Sequence, residues 1–88
     1  MYQRVITLTF KDELSKEAIT NYLQPVIKEQ GEAYGLIAMT CARINELSVV
    51  DTYYWPDCDT FEKAKNEYAG KFVEATRKAG AKVDIKEA

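Results

Sequence analysis

S-V-V-D-T-Y-Y-W, Ser48 to Trp55, is a run of β-branched and aromatic residues that ends at Pro56-Asp57. Such residues fit a pleated strand, in which successive side chains point to opposite faces. Val49, Asp51, Tyr53 and Trp55 then share one face, and Val50, Thr52 and Tyr54 share the other. Both faces carry bulk, so the strand is predicted to lie inside a sheet. The rest of the chain can be placed by asking what covers its two sides.

Upstream, Leu36 to Arg43 reads as a second strand. If Asn45-Glu46 is a two-residue hairpin turn, Leu36 stands opposite Trp55, Ala38 opposite Tyr53 and Thr40 opposite Asp51. One hairpin face then gathers Thr40, Asp51, Tyr53 and Trp55 beside the small Ala38 and Ala42. At the N-terminus, Tyr2 to Phe10 alternates, with Ile6, Leu8 and Phe10 on a dry face and Val5, Thr7 and Thr9 on a mixed one.

Two helical patterns separate the strands. The first is expected to start at Ser15 as N-cap, with Leu14 and Ile19 as a hydrophobic staple. Its apolar positions are Ile19, Tyr22, Leu23, Val26 and Ile27. Pro25 predicts a kink or a restart, and Gly31 a C-terminal cap. The second pattern begins near Asp59, with Glu62 completing a capping box. Phe61, Ala64, Tyr68, Phe72, Ala75 and Ala79 form its inward stripe, and Gly70 marks a weak point. Gly80 ends it, and Ala81 to Lys86 makes a short last strand.

The order is β-α-β-β-α-β. This is the split βαβ, or ferredoxin-like, α+β plait: a four-stranded antiparallel sheet with both helices on one face. It forms one domain over residues 1–88. The sheet face opposite the helices is left uncovered, and the hairpin offers no polar face to fill that place. A second copy packed sheet to sheet is therefore expected, giving a homodimer.

The 88 residues suit a single domain with a thin core. Twelve basic and fourteen acidic residues leave a net charge of −2 with no basic run, which argues against a nucleic-acid partner. No apolar stretch approaches membrane-spanning length and no signal-peptide core is present, so the chain is read as cytoplasmic. There is no histidine. The commonest general base and the commonest metal ligand are thus both missing. No cysteine pair has metal-carrier spacing and no glycine-rich phosphate loop occurs, so neither a metal nor a cofactor is expected.

Several residues invite a functional reading and each has a plainer one. Asp51, Tyr53 and Thr40 can converge as polar anchors of a cavity beside Trp55, or Asp51 can bond a neighbouring backbone group or a base such as Arg4 or Arg43. Tyr22, Tyr34 and Tyr68 can line such a pocket from the helices, or simply pack as amphipathic core residues. Cys41, in mid-strand, behaves as a small hydrophobe. Cys58 sits at a helix start, which favours a thiolate, but Asp57 and Asp59 oppose it.

The passage from Tyr53 to Ala64 resembles the antibiotic-biosynthesis monooxygenase-like family of the dimeric α/β-barrel superfamily. Trp55 stands where that family ends its third strand with an aromatic, and Phe61 matches a helix phenylalanine. Tyr53 replaces the family's acidic residue, and Ala64 its histidine. The resemblance implies a dimeric α/β barrel with a pocket between sheet and helices for a small, often aromatic, molecule. It gives no support to chemistry that needs the histidine. The expected function is binding of a small aromatic or apolar molecule. The alternative is a cofactor-independent monooxygenase, isomerase or cyclase in which Trp55 stacks the substrate and Asp51 or Tyr53 moves a proton.

Overall fold

A computed structural model describes residues 1–87. Strand β1 (Tyr2–Thr9) leads into helix α1 (Glu13–Ala33), followed by β2 (Ala38–Arg43) and β3 (Ser48–Trp55). A second long helical stretch comprises α2 (Cys58–Ala64), a π-helical turn (Lys65–Ala69) and α3 (Gly70–Lys78), and β4 (Lys82–Glu87) follows it. The sheet order is β2-β3-β1-β4, with every neighbouring pair antiparallel. This is the ferredoxin-like plait, and β3 is interior to it.

Both helical layers cover the sheet face that carries Arg4, Ile6 and Leu8 of β1 and Val49, Asp51, Tyr53 and Trp55 of β3, all of them buried. Phe61, Ala64 and Tyr68 close the core from above. A fully buried apolar side chain contributes roughly 1.5–3 kcal/mol of hydrophobic stabilisation. On the opposite face Ala38, Thr40 and Ala42 are exposed, and Val5, Thr7, Val50, Thr52 and Tyr54 are half-buried. Ile37 and Ile44 lie open at its margin.

The hairpin register differs from the two-residue turn by one position. Cys41 faces Asp51, Met39 faces Tyr53, and Thr40 faces Thr52. The Asn45 side chain is the physical reason. Its Oδ1 accepts the Leu47 N–H at 2.9 Å, and Ile44 N–H donates to Ser48 O at 3.0 Å, so the connection takes three residues rather than two. Because side chains alternate strictly, one added residue turns the whole of β2 over.

The caps also differ from those expected. Asp12, not Ser15, caps α1, its Oδ1 accepting the Ser15 N–H at 2.6 Å. Leu14 is exposed and forms no staple. Asp57, not Asp59, caps α2 by accepting the Thr60 N–H at 2.7 Å. The helix α1 runs unbroken through Pro25 and past Gly31, and it is Gly35 that turns the chain, at φ +100°. Gly31 serves another purpose: a Cβ there would lie 2.7 Å from Cδ2 of Leu36 and 3.0 Å from the Tyr68 hydroxyl. Only a glycine lets α1 come down so close at that end.

The weak point expected at Gly70 is where the π turn ends. The Gly70 N–H donates to Lys65 O, five residues back. The extra residue rotates the rest of the helix, so Thr76 is buried while Ala75 is exposed. The inward stripe therefore passes from Tyr68 and Ala69 to Phe72, Val73 and Thr76, and Ala75 drops out of it. Such single π turns are frequent at functional sites.

Candidate functional site

The polar pattern of α1 opens a space beneath it. Ile19, Leu23 and Ile27 are only half-buried, and the residues of α1 that are fully buried are Lys16, Thr20 and Gly31. Anchored by Gly31 at one end, the helix leaves a cavity of about 60 Å³ between itself, the sheet and the π turn. Trp55, Phe61, Tyr68 and Phe72 supply aromatic wall, and Asp51, Tyr53 and Arg4 rise from the sheet beneath. The aromatic wall is mutually braced: Trp55 meets Phe61 edge-on at 5.8 Å, and Tyr68 meets Phe72 edge-on at 5.9 Å and stacks on Tyr34 at 5.1 Å.

Asp51 is 2% exposed. Nε2 of Gln24, one turn beyond Thr20 on α1, donates to its Oδ1 at 2.5 Å. Burial pushes the Asp51 carboxyl above its ordinary value, and the Cys41, Gln24 and Tyr53 side chains that face it oppose that rise in part. The Tyr53 hydroxyl is pushed far up, first by burial and then by the Asp51 charge. Burial, with Tyr34 adding to it, takes the Tyr68 hydroxyl up to about 12. At neutral pH both tyrosines are therefore hydrogen-bond donors, and among the described residues of the cavity wall Asp51 is the carboxylate able to take up a proton.

Two buried polar atoms among the described residues have no hydrogen-bond partner, Arg4 Nε and Thr20 Oγ1. Both residues line this cavity. Arg4 lies opposite Tyr53 on β3 and Glu87 on β4. Its guanidinium carbon stands 4.5 Å over the Phe61 ring, and Nε comes no nearer to Glu87 Oε1 than 3.6 Å. Burial lowers the pKa of the guanidinium, and Glu87 opposes that shift.

Of the residues singled out from the sequence, Asp51, Tyr53, Trp55 and Tyr68 meet at this cavity. Thr40 does not, since the register shift sends it to the uncovered sheet face. Tyr22 does not either. It is 78% exposed on the outer side of α1, because the helix turns Lys16, Thr20 and Gln24 toward the sheet instead. Asp51 pairs with neither Arg4 nor Arg43; Arg43 contacts Glu17 at 3.4 Å. Cys58 is exposed, and local desolvation together with Glu62 and Asp59 pushes its thiol up, away from the reactive thiolate.

The sequence pattern does not single out Arg4, Thr20 and Gln24 as cavity residues. Arg4 carries a signal: it is in phase with Ile6, Leu8 and Phe10, and a base on a dry strand face needs a reason. Thr20 and Gln24 carry none, because polar residues spaced by four on a helix look like a solvated face.

No protein-family model matches this chain, and no curated protein does so. Solved structures do. A dimeric ferredoxin-like protein from an uncultured marine organism superposes with a TM-score of 0.75 at 13% identity, over 100% of this chain and 92% of its own. SnoaB, a cofactor-independent oxygenase from Streptomyces nogalater, superposes at 0.69 with 15% identity over 99% and 89%. A monooxygenase from Streptomyces coelicolor in complex with nanaomycin D superposes at 0.69 with 12% identity over 99% and 86%. At these identities the likeness establishes the fold, which is the one the resemblance around Trp55 and Phe61 implied.

Proposed function

We propose that this chain is a single-domain homodimer, forming a dimeric α/β barrel, whose subunits each bind a small aromatic molecule in the cavity beneath α1. The observation that carries the reading is a cavity with aromatic wall on several sides and two buried polar atoms that lack partners. Binding sites combine an apolar lining with a few such groups. The plainer reading is core with ordered water, since sites of this polarity can hold one or more water molecules.

The cavity volume sets a condition. About 60 Å³ falls well short of the roughly 150 Å³ of a cavity that accepts benzene, so a ring enters only if α1 moves outward. The half-exposed Ile19, Leu23 and Ile27 lower the cost of that movement, because they have less burial to lose, while the Gln24–Asp51 hydrogen bond opposes it. Self-association is supported by the uncovered Val, Ala and Thr face and by neighbours described as dimeric. The cytoplasm is the compartment we assign to it, and its free cysteines suit a reducing environment.

A second reading is favoured by Asp51. A buried carboxylate with a raised pKa, beside a ring-sized aromatic wall, is placed to take a proton from an acidic ring hydroxyl. That step would begin cofactor-independent oxygenation, isomerisation or cyclisation. In this reading Asp51→Asn abolishes turnover but not binding.

Native mass spectrometry of gently purified protein is the test. A dimer that carries extra mass, with amide exchange in α1 slowed by that molecule, fits the binding reading. A dimer with no retained mass, and no spectral change with any member of an aromatic fragment panel, removes the cavity as a binding site. A monomer removes the dimer.

A further inference from the structure

Arg4 is buried with one of its donors unmet. An arginine 5% exposed needs its donors satisfied, for an unmet buried donor is costly and a buried charge more so. Glu87 stands in the right direction, but Nε makes no hydrogen bond to it, and the Glu87 side chain is 43% exposed near the end of β4. Phe61 covers one face of the guanidinium. At its edge Nε is the buried donor left without a hydrogen bond, and a guanidinium edge meets a planar anion in bidentate fashion.

The sheet also separates this charge from the acid. Arg4 lies in the cross-strand row with Tyr53 and Glu87, and Asp51 lies in the next row, with Ile6 and Ile85. On the far side of Asp51 are Cys41 of β2 and Gln24 of α1. The cavity is thus cationic toward β4 and acidic toward β2, with Tyr53 between the two. A ligand fitting both ends has a flat apolar body, an anionic group at one end and a hydrogen-bond donor at the other.

We infer that the cavity selects aromatic carboxylates over neutral aromatic molecules, with Arg4 as the counter-ion of the carboxylate and Asp51 as acceptor for a ring hydroxyl. This rests on the binding reading above and names the ligand class for it. Glu87 is then a competitor for Arg4 from outside the cavity, because Arg4 also lines the surface pocket that Glu87 borders.

The probes are 4-hydroxybenzoate and its methyl ester, which share ring and hydroxyl and differ in the charge. Titrated calorimetrically at low salt, the acid is expected to bind wild-type protein about tenfold or more tightly than the ester, the range of one charge-assisted hydrogen bond. In Arg4→Met that preference falls to within about twofold. Glu87→Gln, a change at a half-exposed position at the end of β4 that keeps the side chain's size, strengthens acid binding several-fold and leaves the ester unchanged. Equal binding of acid and ester to wild type overturns the inference while leaving the cavity reading in place. So does a preference that survives Arg4→Met, or one that Glu87→Gln fails to increase. Failure of both probes to bind overturns the inference and the binding reading together. Should Arg4→Met not fold, the wild-type pair and Glu87→Gln decide the matter.

Discussion

Gly31→Ala tests the close approach that seats α1 on the sheet. In a helix interior, alanine is favoured over glycine by about 1 kcal/mol. Against that gain, the new methyl would lie 2.7 Å from Cδ2 and 3.2 Å from Cβ of Leu36, and 3.0 Å from the Tyr68 hydroxyl. Overpacking a tight site costs about 1–3 kcal/mol. The expected sum is a loss of up to about 2 kcal/mol, opposite in sign to the usual effect of this substitution in a helix. Leu36→Ala removes Cδ2, the nearest obstacle, and supplies the control. In that background Gly31→Ala should be neutral or stabilising by up to about 1 kcal/mol, a coupling of about 1–2 kcal/mol between the two sites. Urea unfolding of the four proteins at one protein concentration, followed by Trp55 fluorescence, measures the cycle. Stabilisation of the wild-type background by Gly31→Ala, or an equal cost in both backgrounds, would refute the proposed contact with Leu36.

Other consequences concern charge and assembly. Burial raises the Asp51 pKa above its ordinary 3.8, so the native state holds this proton more tightly than the unfolded chain. Its contribution to stability is thus greatest below that value and is lost as pH rises through the native pKa. Asp51→Asn should gain stability relative to wild type over that rise, and parallel stability curves would contradict the burial argument. Asp57 has the opposite sign. The Thr60 N–H holds its pKa below 3.8, so the cap stabilises above that value and fails as pH falls through the native one. Asp57→Ala should lower the melting temperature near neutrality, with the difference closing in acid; a difference independent of pH would count against the cap. Finally, Val50→Lys places a charge in the uncovered sheet face; if the proposed dimer packs through that face, sedimentation should show the variant as a monomer and the wild type as a dimer, with the far-ultraviolet spectrum preserved. A dimer that persists would move the interface elsewhere.

Much of the fold was legible because period-two and period-3.6 patterns follow from backbone geometry and need no knowledge of neighbours. Ser48 to Trp55 carried enough β-branched and aromatic bulk to mark an interior strand. The grouping of Asp51, Tyr53 and Trp55 on one face was equally plain, since it depends on one strand alone. Errors gathered where two segments had to be related. Asn45 could end a two-residue turn or accept a hydrogen bond within a three-residue one, and that choice moved Thr40 to the other side of the sheet. Likewise, nothing local said that α1 would turn Thr20 and Gln24 inward and Tyr22 outward.

The order of elements, the plait and the face of β3 that holds the candidate acid are readable from the amino-acid sequence, because each is set by alternation within a segment. Packing set the hairpin register, the π turn that places Tyr68 and Phe72, and the unbonded Arg4 Nε and Thr20 Oγ1 in the same cavity wall as Asp51. Those depend on distances between side chains remote in sequence, and such distances exist only once the sheet and its helices have packed.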